Sequence, residues 1–404
     1  MSPDGEGLKD ARAAKIKLGL PIATALVFLV ALNLRPALSA VGPLLPEIGS
    51  DLGLAEGAQG LLGALPLLGF GLISFVVHHA SRRLGIERTV LVALMALFTG
   101  ILIRSYGGEP GLWVGTMTAG CAIAVGNVLL PAIVRRDYTA HISVATSIYS
   151  ACITVSASIG SAVAVPLSTA TDWNDSLAFW AIPALVVSVL WLPRALPPAP
   201  LARDSAASGD EPAVSLWRQP TAWLVTAFMG LQSTTFYIMA TWLPTIEVAG
   251  GLSAKQAGLR LFLYQLVGVV SGLSIPRLMR RRGSQAAAVV ASVPMLVGVL
   301  GILLAPADSV AWVIIAGLGS GAALVVALSL ISLRSSTHHE TARLSGMAQS
   351  LGYLLAASGP FVAGHLTQAS GSWTPSLILL AGLAVTQILV AIPAGRERAL
   401  VNLP

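Results

Sequence analysis

The chain has 404 residues, 55% of them hydrophobic and 10% charged, with 24 Lys and Arg against 18 Asp and Glu; its mean hydropathy is +0.79. Soluble domains carry about 25% charged residues, so a water-facing globule is excluded. The formal charge of +6 is spread over short connecting segments, which argues against a nucleic-acid face.

Apolar windows of about 20 residues, long enough to cross about 30 Å of hydrocarbon, recur along the whole chain. They lack the alternation of a membrane barrel. The predicted fold is therefore all-α and membrane-integral, with twelve spans in two six-helix bundles. In chain order the spans are 18–46, 55–78, 88–104, 111–134, 143–168, 174–193, 220–244, 256–276, 285–305, 310–333, 345–367 and 374–394.

Residues 1–17 form an N-terminal tail. The basic stretch from Lys9 to Lys17, the apolar run after it and Ala37–Ala40 together mimic a signal peptide. A signal's apolar core is about 7–15 residues, whereas this one continues to Ile48, so an uncleaved span is expected. Residues 18–193 make the first bundle and 219–394 the second. The linker between them, 194–218, is rich in proline, alanine and charge and reads as flexible; 395–404 close the chain.

Cation counting sets the orientation. With the N-terminus in the cytoplasm, 20 of the 24 Lys and Arg fall in cytoplasmic segments. The outer loops and span ends keep Arg104, Lys255 and Arg260, and Arg35 is left over inside the first span. Both termini are expected inside, in a bacterial inner membrane.

The halves repeat. An offset of 198 pairs Leu45-Pro46 with Leu243-Pro244, Arg82-Arg83 with Arg280-Arg281, and Gly85 with Gly283. The offset grows to 200 further on, where Ala157-Ser158 meets Ala357-Ser358 and Trp173 meets Trp373. Two parallel repeats are the mark of a transporter whose halves rock about a midplane site.

Four segments carry a family resemblance: NLRPALSAVGPLLPEI (Asn33–Ile48), GNVLLPAIVRRDY (Gly126–Tyr138), GLQSTTFYIMATWLPTI (Gly230–Ile246) and RLSGMAQSLGYLLAASGP (Arg343–Pro360). Together they resemble the cyanate and 2-nitroimidazole permease (CynX/NimT-like) family of the major facilitator superfamily. The resemblance implies alternating access and a small solute without fixing which one. The superfamily usually carries Asp-Arg-x-Gly-Arg-Arg/Lys between the second and third helices. Here Arg82 replaces the acid, followed by Arg83, Gly85, Glu87 and Arg88; the usual charge relay does not carry over intact, and Glu87 is the acid that could substitute.

The candidate site centres on Arg35. A charge at mid-membrane costs from about 2.5 kcal/mol upward and usually faces a cavity or a partner. No acid falls in a span centre; Glu47, Glu109, Glu247 and Asp308 all lie at outer ends or loops. The readings are anion binding, pairing with a carboxylate or freed carbonyls, or solvation. Arg35, Ser39 and Gly42 share a helical face, and Asn33 points about 200° away, where it ties the helix to a neighbour. Pro36 and Pro43 allow local distortion. At the offset of 198 Arg35 meets Ser233, so the second half supplies no matching cation.

Asn127, Tyr149, Gln232, Tyr237, Gln349 and Tyr353 are further inward polar candidates, each with helix–helix bonding as its structural alternative. Tyr264 lies one turn below Arg260. Arg260 itself either attracts anions or snorkels to the interface, and snorkelling is the expectation. His78-His79 and His338-His339 read as solvated, His365 as outer-end packing. Gly268/Gly272 and Gly317/Gly321 are close-packing devices. Cys121 and Cys152 are packing residues.

No metal, nucleophile–base or phosphate-loop constellation appears, so the chain is read as no enzyme, without cofactors. The expectation is a monomeric transporter of a small polar solute, most simply an anion such as cyanate. The alternatives are efflux of a neutral nitroimidazole-like drug and a solute-binding membrane sensor.

Overall fold

The computed structural model describes residues 25–138, 142–196, 216–335 and 338–396. The expected tails and most of the linker, together with the side chains of Arg82, His78-His79 and His338-His339, lie outside the described residues. The regular elements among those residues are helical. The first half comprises α1 (25–33), α2 (Pro36–Ser39), α3 (Val41–Leu52), α4 (Glu56–Leu84), α5 (Ile86–Tyr106), α6 (Gly108–Asp137), α7 (Ile142–Ala170), α8 (Trp173–Ala178) and α9 (Ala181–Ala195). The second comprises α10 (Pro220–Ala249), α11 (Ala254–Leu304), α12 (Ser309–Leu333), α13 (His338–Ser370) and α14 (Thr374–Ala394).

Among the described residues, nine helical runs are long and apolar enough to cross a membrane; the first is Ala25–Leu52, which joins α1 to α3. Two other long helices, α10 and α13, are not among the nine. Their polar residues explain this: α10 buries Gln232, Ser233, Thr234, Thr235, Tyr237 and Thr241. A helix enclosed by protein can carry such groups where a lipid-facing one cannot.

Two predicted boundaries change. The first span was expected as one helix, but the chain breaks at Leu34–Arg35 and then runs on to Leu52. Pro36 is the cause. It has no N–H to give to the carbonyl four residues back, and it disfavours helical geometry at the residue before it. Pro36 itself sits at the first position of α2, where its fixed φ is favourable. The sixth span divides at Phe179–Trp180 into α8 and α9. The range of α11 takes in the eighth and ninth expected spans, two helices that meet at a kink at Gly283 (φ 79°, ψ 168°). Its repeat partner Gly85 closes α4 with nearly the same geometry, φ 83° and ψ 154°. Only glycine adopts such angles without strain.

Within each half, α5 packs on α6 and α11 on α12; across the halves α4 lies along α13, α7 against α11 and α3 against α10. Gly268 and Gly272 meet the backbone of Gly317 and Gly321, so these glycines set how closely α11 and α12 cross. The α3–α10 contact is equally tight: a β-carbon at Gly42 would lie 2.5 Å from the Ala240 carbonyl oxygen.

Candidate functional site

The break before Pro36 turns Arg35 out of the helical ladder. Its φ of −119° leaves it at the N-cap of α2, beside a small cavity between the halves. Arg35, Ser39, Gly42 and Leu45 line this cavity from the first half with Thr116; Phe236, Tyr237, Thr241 and Gln265 line it from the second.

The guanidinium is caged by aromatic rings. Arg35 Nη1 donates to Tyr237 Oη at 2.7 Å. The Arg35 Cζ stands 5.8 Å from the centre of the Phe70 ring, within cation–π range. Tyr149 and Tyr353 also face the charge. The rings support one another: Phe70 and Tyr353 meet edge-on at 5.4 Å, and Tyr237 and Tyr353 at 6.4 Å. Phe236 abuts Tyr237 at 4.9 Å and stacks on Tyr264 at 6.1 Å. No carboxylate pairs with Arg35 among the described residues.

This arrangement offsets the cost of the buried cation in part. A hydrogen bond to a charged group contributes about 1.5–3 kcal/mol, and a desolvated cation–π contact about 2 kcal/mol. Both are comparable with the lower estimate for a mid-membrane charge, about 2.5–3.5 kcal/mol. A phenol that accepts from Arg35 keeps its own proton to donate. The cage therefore offers one cation, hydroxyl donors and aromatic walls.

The other predicted residues divide. Ser39 lines the cavity, but its Oγ donates to the Ala157 carbonyl at 2.7 Å and to its own helix. Asn33 was expected to bond a neighbouring helix. Instead its Nδ2 donates to Leu29 O, four residues back on α1. Asn127 keeps a buried, unpartnered Nδ2 on α6. Gln232 is buried and donates to Met229 and Ser233 on α10. Gln349 donates to Ser345, one turn earlier on α13. Tyr264 is fully buried behind Phe236.

At the cytoplasm-facing end proposed from the sequence, Glu87 takes Arg136 at 2.6 Å and Arg194 at 3.1 Å; Asp137 takes the same two arginines. Burial pushes the Asp137 carboxyl up, but the hydrogen bonds and charges of Arg136 and Arg194 prevail and hold it below the usual carboxylate range. Arg88 Nε donates to Ala195 O. Arg83 is exposed, and Gly85 supplies the left-handed turn between α4 and α5.

One expectation about an outer cation is corrected. Arg260 does not snorkel: it is paired at 2.8 Å with Glu247, itself only 3% exposed, and Ser309 bonds both. A buried carboxylate within reach outweighs the hydration gained at the interface. Arg104, counted as a span-end charge, is 2% exposed and donates to Ala37 O at 2.6 Å. Sequence reasoning also missed Phe70, because a phenylalanine inside an apolar span carries no signal separating it from core.

Helices of membrane-crossing length, two halves in close contact and a caged cation between them define a solute transporter of the membrane. Residues 27–360 match the Major Facilitator Superfamily, and the chain belongs to that family, on its cyanate/2-nitroimidazole permease side. It is 37% identical over 376 residues to the 2-nitroimidazole transporter of Escherichia coli (strain K12), covering 92% of this chain and 95% of that one. It is 26% identical over 366 residues to the cyanate transport protein CynX of the same organism, covering 88% and 94%. Among solved structures, the nucleoside transporter NupG (D323A mutant) superposes with a TM-score of 0.77 over 93% of this chain and all (100%) of that one, at 13% identity; that likeness shows the fold.

Proposed function

We propose that the chain moves a small anion by alternating access, holding it against Arg35 within the ring of Tyr149, Tyr237, Tyr353 and Phe70. The observation that carries this reading is a guanidinium with no carboxylate partner among the described residues, reaching across the two halves to Tyr237. An arriving anion would supply the missing charge and accept phenolic protons.

The architecture in this reading has twelve spans. The nine apolar runs become ten when α11 is divided at Gly283, and α10 and α13 complete the set. Residues 18–193 and 219–394 are the two bundles, both termini are cytoplasmic, and the transporter acts as a monomer in the inner membrane. The end bearing Gly42, Gly57 and Gly60 is then the outside. There Gly57 N donates to Gln368 across the halves, and Gly60 meets the Pro360 carbonyl. Such contacts support a form closed towards the outside.

With no carboxylate in the cage among the described residues, uniport or exchange accounts for transport more simply than carboxylate-based proton symport. Flux of cyanate or a small organic anion into proteoliposomes tests this. The expected result is saturable uptake, abolished by Arg35→Gln and unaffected by an imposed pH gradient; no flux for any small anion rejects it.

A second reading is favoured by the aromatic walls. A neutral nitroimidazole-like solute packs against the aromatic side chains that line the cavity, Phe236 and Tyr237, and takes Arg35 as a hydrogen-bond donor to its nitro group. Similarity to a 2-nitroimidazole transporter supports it. Arg35 replacements separate the two, as set out below.

A further inference from the structure

Arg104 is a second buried cation, outside the lining of the Arg35 cavity. It lies in the last turn of α5, is 2% exposed, and gives one nitrogen, Nη1, to the Ala37 carbonyl. Its Nε and Nη2 are buried and have no partner. No acidic side chain pairs with it among the described residues. Two hydroxyls nearby in the fold are in the same state. Ser105 follows it on α5, and Thr116 lies on α6 just after Gly115, whose backbone packs directly on that of Arg104; both Oγ atoms are buried and unpartnered.

These facts require an explanation of a particular kind. Buried polar groups are almost always hydrogen-bonded, and a buried charge is almost always paired. An Arg104 serving only to cap Ala37 would need one donor, and an asparagine or a neutral amide could supply it. The fork instead offers two further donor nitrogens, with three N–H groups between them, and an uncompensated positive charge. The shared chemistry of those groups is donation to an anion. The space is narrow: α5 and α6 cross at Gly100 and Gly115, so the ligand is small and compact. Thr116 also lines the Arg35 cavity, which brings that cavity to the α5–α6 crossing.

We propose that Arg104 Nε and Nη2 bind a small monovalent inorganic anion of halide size, behind the hinge that carries Arg35. The bound anion neutralises the guanidinium that holds Ala37, two residues beyond Arg35, and so keeps α2 braced against α5. This site is separate from the Arg35 cage and does not depend on which solute that cage takes.

The test uses the purified full-length protein in detergent with sodium chloride, sodium bromide or sodium gluconate at equal ionic strength. Chloride and bromide are expected to raise Tm by about 2 °C or more over gluconate, because a ligand that binds only the folded state stabilises it. The rise should persist in Arg35→Gln and vanish in Arg104→Gln. No rise in the wild-type protein overturns the proposal, with solvent then satisfying the donors. A rise that persists in Arg104→Gln and vanishes in Arg35→Gln also overturns it, by assigning the anion to the cage. Should Arg104→Gln not fold, anomalous scattering from bromide in wild-type crystals decides. A peak beside the Arg104 guanidinium is expected, and a peak elsewhere or none at all rejects the site.

Discussion

Arg35 and Tyr237, 202 positions apart, are joined by a 2.7 Å hydrogen bond from Nη1 to Oη. The bond links the broken first span to α10 and places the cation on the seam between the halves. A ligand that competes for Nη1 would change how the halves hold together, which is what alternating access needs.

Arg35 itself separates the two solute readings. For an anion, Arg35→Gln should weaken binding about tenfold or more, since each factor of ten is about 1.4 kcal/mol; Arg35→Lys should keep part of the affinity because the charge remains. A neutral nitroimidazole should show the reverse order. Titration calorimetry on purified protein with cyanate, small carboxylates and 2-nitroimidazole reads the difference directly.

Tyr237→Phe keeps the ring that packs on Phe236 and removes the acceptor for Arg35. A lost hydrogen bond to a charged group costs about 1.5–3 kcal/mol. Affinity for the transported solute should fall about 10-fold, and Tm should fall with it. Unchanged affinity would show that the bond is not part of the binding site.

The Glu247–Arg260 pair should matter to stability. Removing one partner of a buried ion pair costs about 3–5 kcal/mol, and the exposure of Arg260 places the effect towards the lower end. Glu247→Gln should therefore lower Tm clearly. The double replacement Glu247→Gln, Arg260→Met should recover much of the loss, since no charge is then stranded. Thermal unfolding of the two variants checks both statements.

Gly42 controls the approach of α3 to Ala240. Gly42→Val puts side-chain atoms where the Ala240 carbonyl now lies, so the halves cannot close at that end. Solute flux should fall by about 90% or more, as expected when one of two alternating states is removed. Binding by the still-open form should survive. Paired flux and binding measurements on proteoliposomes distinguish this from misfolding.

Asp137 carries a pH signature. Its folded-state carboxyl lies below the ordinary value near 3.8, so folding favours the ionised form. That stabilisation is fully present above the ordinary value and disappears as pH falls through the lower folded value. Asp137→Asn should be less stable than wild type at pH 7, with the difference closing as pH drops below about 3.8. A difference independent of pH would assign the effect to packing.

Much of the fold was legible because lipid imposes strong rules. Long apolar windows, cations gathered in the connecting segments and the drifting offset of about 200 are properties of the chain itself. So was the weak point at Pro36; the repeat also paired Gly85 with Gly283, but their shared positive φ is a finding of the structure. Of the two helices least visible to hydropathy, α10 is polar and largely enclosed by protein, whereas α13 still exposes Leu354, Leu355 and Val362.

The sequence by itself determined that this is a helical membrane protein with a stray arginine in its first span, because solvent and backbone chemistry act on every residue locally. Only the tertiary structure decided what that arginine touches. Tyr149, Tyr237 and Tyr353 reach Arg35 from three other helices, and Phe70 from a fourth. Glu247 similarly claims Arg260, and Ala37 claims Arg104. Such partners are fixed by how helices distant in sequence cross, and helical periodicity within one segment carries no information about the neighbour it will meet.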